Sequence, residues 1–234
     1  MNDAKKKIIE NNAAISELLA ANEALYDSLE DDEVLDKEQH ITIPKGCISR
    51  VKVLTEKYHL DSIIQDEHVR KNLCYLIEYL QLDNYVFNRF NIFASVRTML
   101  LKNATIVYAS ILETLILSAA NSIRNNCEGC KTRSKCSNNF NGQTADRMKK
   151  ALPKLAEMGI ITVDENTVRQ VIELYDARNN IHVFKTEGNE FLNDDYTEQQ
   201  CDLAESLVER ISEDLFLHAV PRYTQKSCEY TDAT

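Results

Sequence analysis

The chain has 234 residues, enough for one large domain or a smaller one with an extension, and it contains only five glycines and three prolines. So few turn-forming residues disfavour a sheet-rich fold and predict helices joined by short connections. The net charge of −10 disfavours general binding to nucleic acid, although residues 124–154 alone carry +6 and leave −16 on the remainder.

The cellular compartment is predicted from the ends, the apolar stretches and the cysteines. The N-terminus has no apolar core of the kind a secretory signal needs, so we expect none. The most apolar stretch, residues 91–123, is interrupted by Arg97, Lys102 and Glu113, so we expect no membrane span and no membrane partner. Seven cysteines, an odd number, then predict reduced thiols in the cytoplasm.

Residues 3–30 are predicted to form one polar helix. Its seam follows a heptad pattern over three to four repeats: Ile8, Ile15, Asn22 and Leu29, with Asn11, Leu18 and Leu25 between them. Two interpretations stay open, a coiled coil or an amphipathic helix docked on its own domain. An acidic linker, "EDDEVLDKEQH", follows, and "HITIPKG" is the only plausible extended piece.

Two helices are predicted between residues 47 and 90, over "CISRVKVLTEKYHL" and "EHVRKNLCYLIEYLQL". A long and strongly apolar helix follows, from about Asn91 to Asn125. The next stretch, residues 126–143, has turn composition throughout and is predicted to be a loop.

The C-terminal part predicts three more helices. The first, "TADRMKKALPKLAEMG", should break near Pro153 and stop at Gly159. Thr162–Glu165, "TVDE", fits a capping box at the start of the second. The third runs from about Tyr196 to Leu217, with an acidic stripe that we interpret as a solvated surface, and residues 219–234 are a tail.

The second of these helices carries an unusual change from apolar to polar. Its stripe and the polar residues that follow it are Val168, Val171, Ile172, Tyr175, Arg178, Asn179 and His182. Arg178 and His182 are four residues apart, so one helical turn makes them neighbours. Burying both without partners would cost several kcal/mol, so a carboxylate, a second subunit or an anionic ligand is expected to receive them.

Residues 91–218 resemble the HEPN superfamily. The resemblance is carried by "YASILETLILSAANSI", "LAEMGII", "LYDARNNIH" and "AESLVERISEDL". It implies an all-α fold, an up-and-down four-helix bundle, and homodimerisation through the helices that bear the motif. Many members of the family are metal-independent ribonucleases that act as toxins or in defence against phage, and others are inactive scaffolds.

The family motif consists of an arginine, a polar residue, a few further residues and a histidine, which Arg178, Asn179 and His182 match. Three residues separate arginine and histidine here, whereas four to six are common in the family. Phe184 stands where some members carry a tyrosine that a partner enzyme modifies. The resemblance implies that His182 moves protons, Arg178 stabilises the phosphorane and Asn179 orients the phosphate or the histidine, without a catalytic cofactor.

Glu113 is a carboxylate in an apolar stretch of the long helix, and it needs a partner if it is buried. One hypothesis is that it orients Arg178 or His182 and belongs to the catalytic site. The other is a structural ion pair inside the bundle.

Three cysteines, Cys127, Cys130 and Cys136, lie in the polar loop, which gives no packing reason for them. A C-x2-C pair is a common half-site for zinc, so we predict a structural zinc whose fourth ligand comes from elsewhere. A redox-sensitive loop and three unconstrained thiols are the alternatives.

Basic residues in and after this loop are the candidates for contact with an RNA backbone: Lys131, Arg133, Lys135, Arg147, Lys149 and Lys150. The alternative is a solvated basic loop that balances the acidic last helix.

The sequence therefore predicts an N-terminal helical region over residues 1–90 for partner or dimer contacts, a HEPN-like bundle over 91–218, and a tail. The first functional hypothesis is an endoribonuclease that cuts tRNA or mRNA and binds a regulatory protein. The second is a non-catalytic scaffold in which Arg178 and His182 hold the dimer. A zinc-bearing adaptor that binds nucleic acid without cutting it is a third.

Overall fold

The computed structural model describes residues 2–29, 40–44, 46–128, 144, 147–179 and 196–219, with side chains up to 125 and 178 in the two helices that end at 128 and 179. The helices are α1 (Asp3–Tyr26), α2 (Val51–Lys57), α3 (Leu60–Ile63), α4 (Glu67–Arg89), α5 (Ala94–Glu128), α6 (Met148–Glu157), α7 (Glu165–Asn179) and α8 (Glu198–Asp214), followed by a π-helical turn (Leu215–Ala219). No β-strand occurs within these ranges, so the all-α prediction is confirmed and "HITIPKG" is not a strand where it is described.

The chain forms two compact units, residues 1–44 and 45–234. The first contains α1, which begins where the side chain of Asn2 accepts a hydrogen bond of 3.0 Å from the backbone N–H of Ala4. No side chain of α1 is buried.

Helix α5 runs through the core of the second unit, and α4, α6, α7 and α8 all contact it. Its side chains Ile111, Leu112, Leu115 and Ile116 are fully buried. A helix that is apolar around most of its circumference needs neighbours on several sides, and these four helices supply them. These four helices therefore pack around the centre of α5.

The length and composition of α5 also meet the requirements for a membrane span. The segment Ala94–Asn125 contains a window with a mean hydropathy of 1.5. Half of that window is buried inside the protein, and a core helix of a bundle has the same properties.

Helices α2, α3 and α4 belong to the second unit. Helix α4 packs on α5, and α2 packs on α4. Lys57 Nζ lies 2.7 Å from Glu209 Oε1 on α8, and the His59 ring stacks on Phe216 at 3.9 Å between centroids. The boundary between the units thus falls after Pro44, whereas the sequence analysis placed it after residue 90.

The expected break at Pro153 is wrong, because α6 continues through this residue to Glu157. Proline removes the hydrogen bond that its own N–H would have made to the carbonyl of Lys149, and its ring crowds that carbonyl. Burial of Ala151, Leu152 and Leu155 on the core side holds the helix together across that point.

The stop at Gly159 is confirmed. Gly159 has φ = +64°, a left-handed conformation that strains residues with a side chain. The N–H of Ile160 donates to the carbonyl of Leu155 at 2.9 Å, which is the bond expected of a Schellman end.

The capping box predicted over Thr162–Glu165 is wrong. Asp164 caps α7 instead, since its Oδ1 accepts a hydrogen bond of 2.7 Å from the backbone N–H of Thr167. Thr162 is engaged elsewhere: its N–H donates to Asp214 Oδ2 at 2.7 Å and its hydroxyl donates to Asp214 Oδ1 at 2.9 Å. Arg210 donates to the carbonyl of Thr162 at 2.6 Å, so α8 holds the segment that leads into α7.

Candidate functional site

Helix α7 positions the arginine of the motif. Val171 and Leu174 are buried against the core, and Val168, Ile172 and Tyr175 are partly buried beside them. The next residue on this side is Arg178, one turn after Leu174 and three residues after Tyr175. The stripe that docks the helix on α5 therefore also directs the guanidinium towards α5.

Glu113 of α5 receives Arg178. Arg178 Nη1 donates to Glu113 Oε2 at 2.5 Å, and the side chains are 32% and 21% exposed. Charged hydrogen bonds of this kind are short and directional, so the carboxylate restricts the orientation of the arginine. Both groups keep contact with solvent, which leaves the arginine accessible to a ligand.

Lys149 contacts the same end of α7 from another direction. Its Nζ lies 2.6 Å from Asp176 Oδ1, and both side chains are about half exposed. Asp176 and Arg178 are two residues apart, so they project from different sides of the helix. Arg147 and Lys150 are exposed at the start of α6, and with Lys149 they form a positive group near the last described turns of α7.

Most of the other predicted site residues lie outside the described residues. These are His182, Cys130, Cys136, Lys131, Arg133 and Lys135, together with the side chains of Cys127 and Asn179. Cys127 belongs to the last turn of α5, so the loop predicted over residues 126–143 begins later than expected. The described part of the chain contains no group of three or more His, Cys, Asp or Glu residues arranged to hold a metal ion. The zinc site therefore stays a prediction about the loop.

Two cysteines outside the loop are packed into helices. Cys74 is fully buried, and Cys201 is partly buried with its Sγ 3.6 Å from the carbonyl of Leu101. Burial raises the pKa of both thiols, which keeps them protonated at neutral pH. Neither is a candidate nucleophile.

An acidic cleft of about 130 Å³ lies between α4, α5 and α8 and was not expected from the sequence. It is lined in part by Asp83, Tyr108, Asp202 and Glu205. Asp83 is buried, and the loss of solvent raises its pKa above the usual range. A cleft with this many carboxylates repels anions such as phosphate.

Sequence reasoning missed the clamp between Thr162 and Asp214, which positions the start of α7. These residues are 52 positions apart, and no local pattern around either residue predicts the contact. The pairing of Lys149 with Asp176 was missed for the same reason.

Comparison with known proteins adds no relative: no protein-family model, curated protein or solved structure matches this chain.

Proposed function

We propose that the chain is a HEPN-like, metal-independent endoribonuclease that acts in the cytoplasm as a toxin or anti-phage effector. The observation that carries the proposal is the contact between Arg178 and Glu113, which holds a partly exposed guanidinium near the end of α7. Asn179 is the next residue, and His182 follows Arg178 by four positions in the sequence. An arginine held in place and a histidine that follows it closely in the sequence supply the cation and the acid–base group needed to cut RNA without a metal.

The reaction needs one base, one acid and a cation. A neutral His182 removes the proton of the ribose 2′-hydroxyl, whose oxygen then attacks the adjacent phosphorus. A protonated His182, from the second copy of the chain, gives a proton to the leaving 5′-oxygen. The products are a 2′,3′-cyclic phosphate and a 5′-hydroxyl.

Arg178 is suited to stabilise the charge that grows on the phosphorane. A guanidinium carries five N–H donors, and the contact with Glu113 is made by Nη1. The donors on Nη2 and Nε are not committed by that contact, so the arginine can bind a phosphate oxygen while Glu113 keeps its orientation. Asn179 is proposed to orient the phosphate or the imidazole.

The proposed enzyme is a homodimer, because the resemblance places the motifs of two copies in one cleft. The RNA, tRNA or mRNA, would be held by phosphate contacts from Arg147, Lys149 and Lys150 and from the basic residues of the preceding loop. The exposed positions of the first three at the start of α6 support this assignment.

A non-catalytic scaffold is the second candidate, and the same ion pair favours it. A short contact between two partly buried charges is also what a structural link between α5 and α7 requires. In that case Arg178 serves packing, and the protein acts by dimerisation and partner binding.

Cleavage of RNA by the purified full chain separates the two candidates. We expect wild-type protein to cut total RNA or tRNA and His182→Ala to lose about 10²–10⁴-fold in rate, the usual cost of removing a general acid–base residue. Arg178→Ala should lose a similar factor. Brief addition of EDTA should leave the rate unchanged, since no metal takes part.

The matched control is His218→Ala, which removes an exposed histidine on the π-helical turn. It should cut at the wild-type rate, and circular dichroism should show all variants folded. Wild-type protein without activity on these RNAs would reject the ribonuclease proposal in favour of the scaffold. The proposed zinc on the loop cysteines is checked separately, by metal analysis of protein purified without chelator.

A further inference from the structure

Helix α1 carries an apolar stripe that takes no part in the proposed reaction. Its largest side chains, Ile8, Ile15, Leu18 and Leu25, are between 50% and 66% exposed. A helix of 24 residues is about 36 Å long and, as an isolated helix, is marginal in water. A stripe of this length is stabilised when a second helix covers it.

The stripe follows the heptad pattern of a two-stranded coiled coil. Isoleucines occupy successive a positions, Ile8 and Ile15, and leucines occupy successive d positions, Leu18 and Leu25. A stripe confined to a and d positions is the narrow seam of a coiled coil, which one facing helix can cover. One further helix of the same kind therefore fits the seam, and a second copy of this chain supplies it.

The two asparagines of the seam have complementary positions. In an antiparallel pair an a residue packs beside a d residue, and a register that sets Ile15 beside Leu18 of the second copy also sets Ile8 beside Leu25. The same register sets Asn11 beside Asn22 of the second copy. Each carboxamide both donates and accepts, so the two can satisfy each other inside an otherwise apolar seam.

The charges of α1 select the antiparallel orientation. Residues 3–14 carry Lys5, Lys6 and Lys7 against Asp3 and Glu10, a net charge of +1, whereas residues 15–26 carry only Glu17 and Glu23, a net charge of −2. A parallel pair would place lysines beside lysines and acids beside acids. An antiparallel pair sets each basic end beside an acidic end and opposes the helix dipoles favourably.

We infer that α1 is a self-association element that pairs antiparallel with α1 of a second copy, in the register that sets Asn11 beside Asn22. The inference rests on α1 alone and holds whether or not the protein cuts RNA. It gives the chain an interface separate from the dimer proposed for α7.

Photo-crosslinking of the full chain tests the orientation. Tyr26 is replaced by p-benzoylphenylalanine, a change of similar shape at an exposed position beside the seam. The proposed register places residue 26 beside Lys5 of the second copy, so irradiation should give a species of twice the mass with crosslinks to residues 3–8. Within one helix those residues lie about 27–35 Å from residue 26, so the link must join two chains.

Crosslinks to residues 21–28 of the second copy would show a parallel pair and overturn the proposal. Crosslinks to the rest of the same chain, or no doubled species at tens of micromolar, would overturn it as well.

Replacement of the two asparagines by leucine tests the register. Asn11→Leu or Asn22→Leu alone leaves two carboxamides facing leucine and should raise the Kd of the α1 pair about threefold or more. The two changes together should lower the Kd below that of the wild type, so their effects are strongly non-additive.

A parallel pair predicts additive effects, because the positions are then about 16 Å apart. The yield of the Tyr26 crosslink at graded protein concentrations reports this Kd without interference from any other interface. Additive effects would reject the register.

Discussion

The two ends of α7 are held by different kinds of contact. At the start, backbone groups of Thr162 bond to Asp214 and Arg210 of α8, and Asp164 caps the helix. Near the other end, the contacts that hold α7 are ion pairs between partly exposed side chains, Arg178 with Glu113 among them. The first arrangement resists rearrangement because it satisfies backbone groups, whereas the second can exchange one of its partners for a ligand.

That difference suggests a division between stability and function along a single helix. Loss of the buried contact between Asp214 and Thr162 at the start of α7 should change the free energy of unfolding most. Substitutions near its C-terminal end should change activity most, if the proposed function holds.

The largest effect on stability is expected from Asp214→Ala. The substitution removes a buried carboxylate that accepts from the N–H and the hydroxyl of Thr162, so the free energy of unfolding should fall by about 1–3 kcal/mol. Urea unfolding followed by circular dichroism measures it. Asp202→Ala, at an exposed position of the same helix, is the control and should stay within about 0.5 kcal/mol of wild type.

A smaller change in stability and a larger change in activity are expected from Glu113→Ala. The ion pair is partly solvated, so its loss should lower the free energy of unfolding by about 1 kcal/mol. The rate of RNA cleavage should fall about tenfold or more, since Arg178 loses its orientation. Glu173→Ala breaks an exposed pair with Arg169 on the same helix and should change neither quantity measurably.

Equal effects of Glu113→Ala and Asp214→Ala on cleavage would contradict the proposed division, because both ends of α7 would then act only through the fold.

The smallest effect on stability is expected from Asp164→Ala, which removes an exposed cap whose contribution depends on pH. Hydrogen bonds from the side chain and backbone of Thr167 lower the pKa of the Asp164 carboxyl. A carboxyl whose pKa is lower in the folded state stabilises the folded protein at pH values above its unfolded pKa of about 4. This contribution is lost as the pH falls through the folded pKa. Asp164→Ala should thus destabilise at pH 7, by less than Asp214→Ala does, and the difference from wild type should shrink below about pH 4.

Asp164→Asn is the matched control, because it keeps an acceptor for the cap without a charge that titrates. This variant should keep its cap at low pH, so its free energy of unfolding should not fall through loss of the cap there. Chemical unfolding at pH 7, 5 and 3 checks all three proteins, and an Asp164→Ala deficit that does not change with pH would show that the carboxylate charge is irrelevant to the cap.

Local sequence patterns predicted the positions of four helices and the end of a fifth. The apolar periodicity located α4, α5, α7 and α8, and Gly159 ends its helix as expected because only glycine enters the left-handed region without strain. Pro153 misled for a physical reason. A proline removes one hydrogen bond and crowds the carbonyl four residues earlier, and burial of its neighbours in this bundle outweighs that cost.

The candidate site was predictable only in part. Apolar surroundings implied that Glu113 needs a partner, and Arg178 was one of two partners considered, but spacing within α5 cannot identify a contact on α7. The cap at Asp164 was mistaken for one at Thr162 because both residues are good caps, and only Asp214 on a distant helix commits Thr162 to a different contact.

The sequence by itself determined the helical class, the long apolar helix and the polar end of the α7 stripe, because these features follow from composition and from patterns that extend over a few residues. The tertiary structure alone decided that residues 45–90 join the bundle, that Asp214 holds the start of α7, and that Glu113 receives Arg178. These are contacts between residues tens of positions apart. They depend on how whole helices pack, and no local pattern encodes that choice.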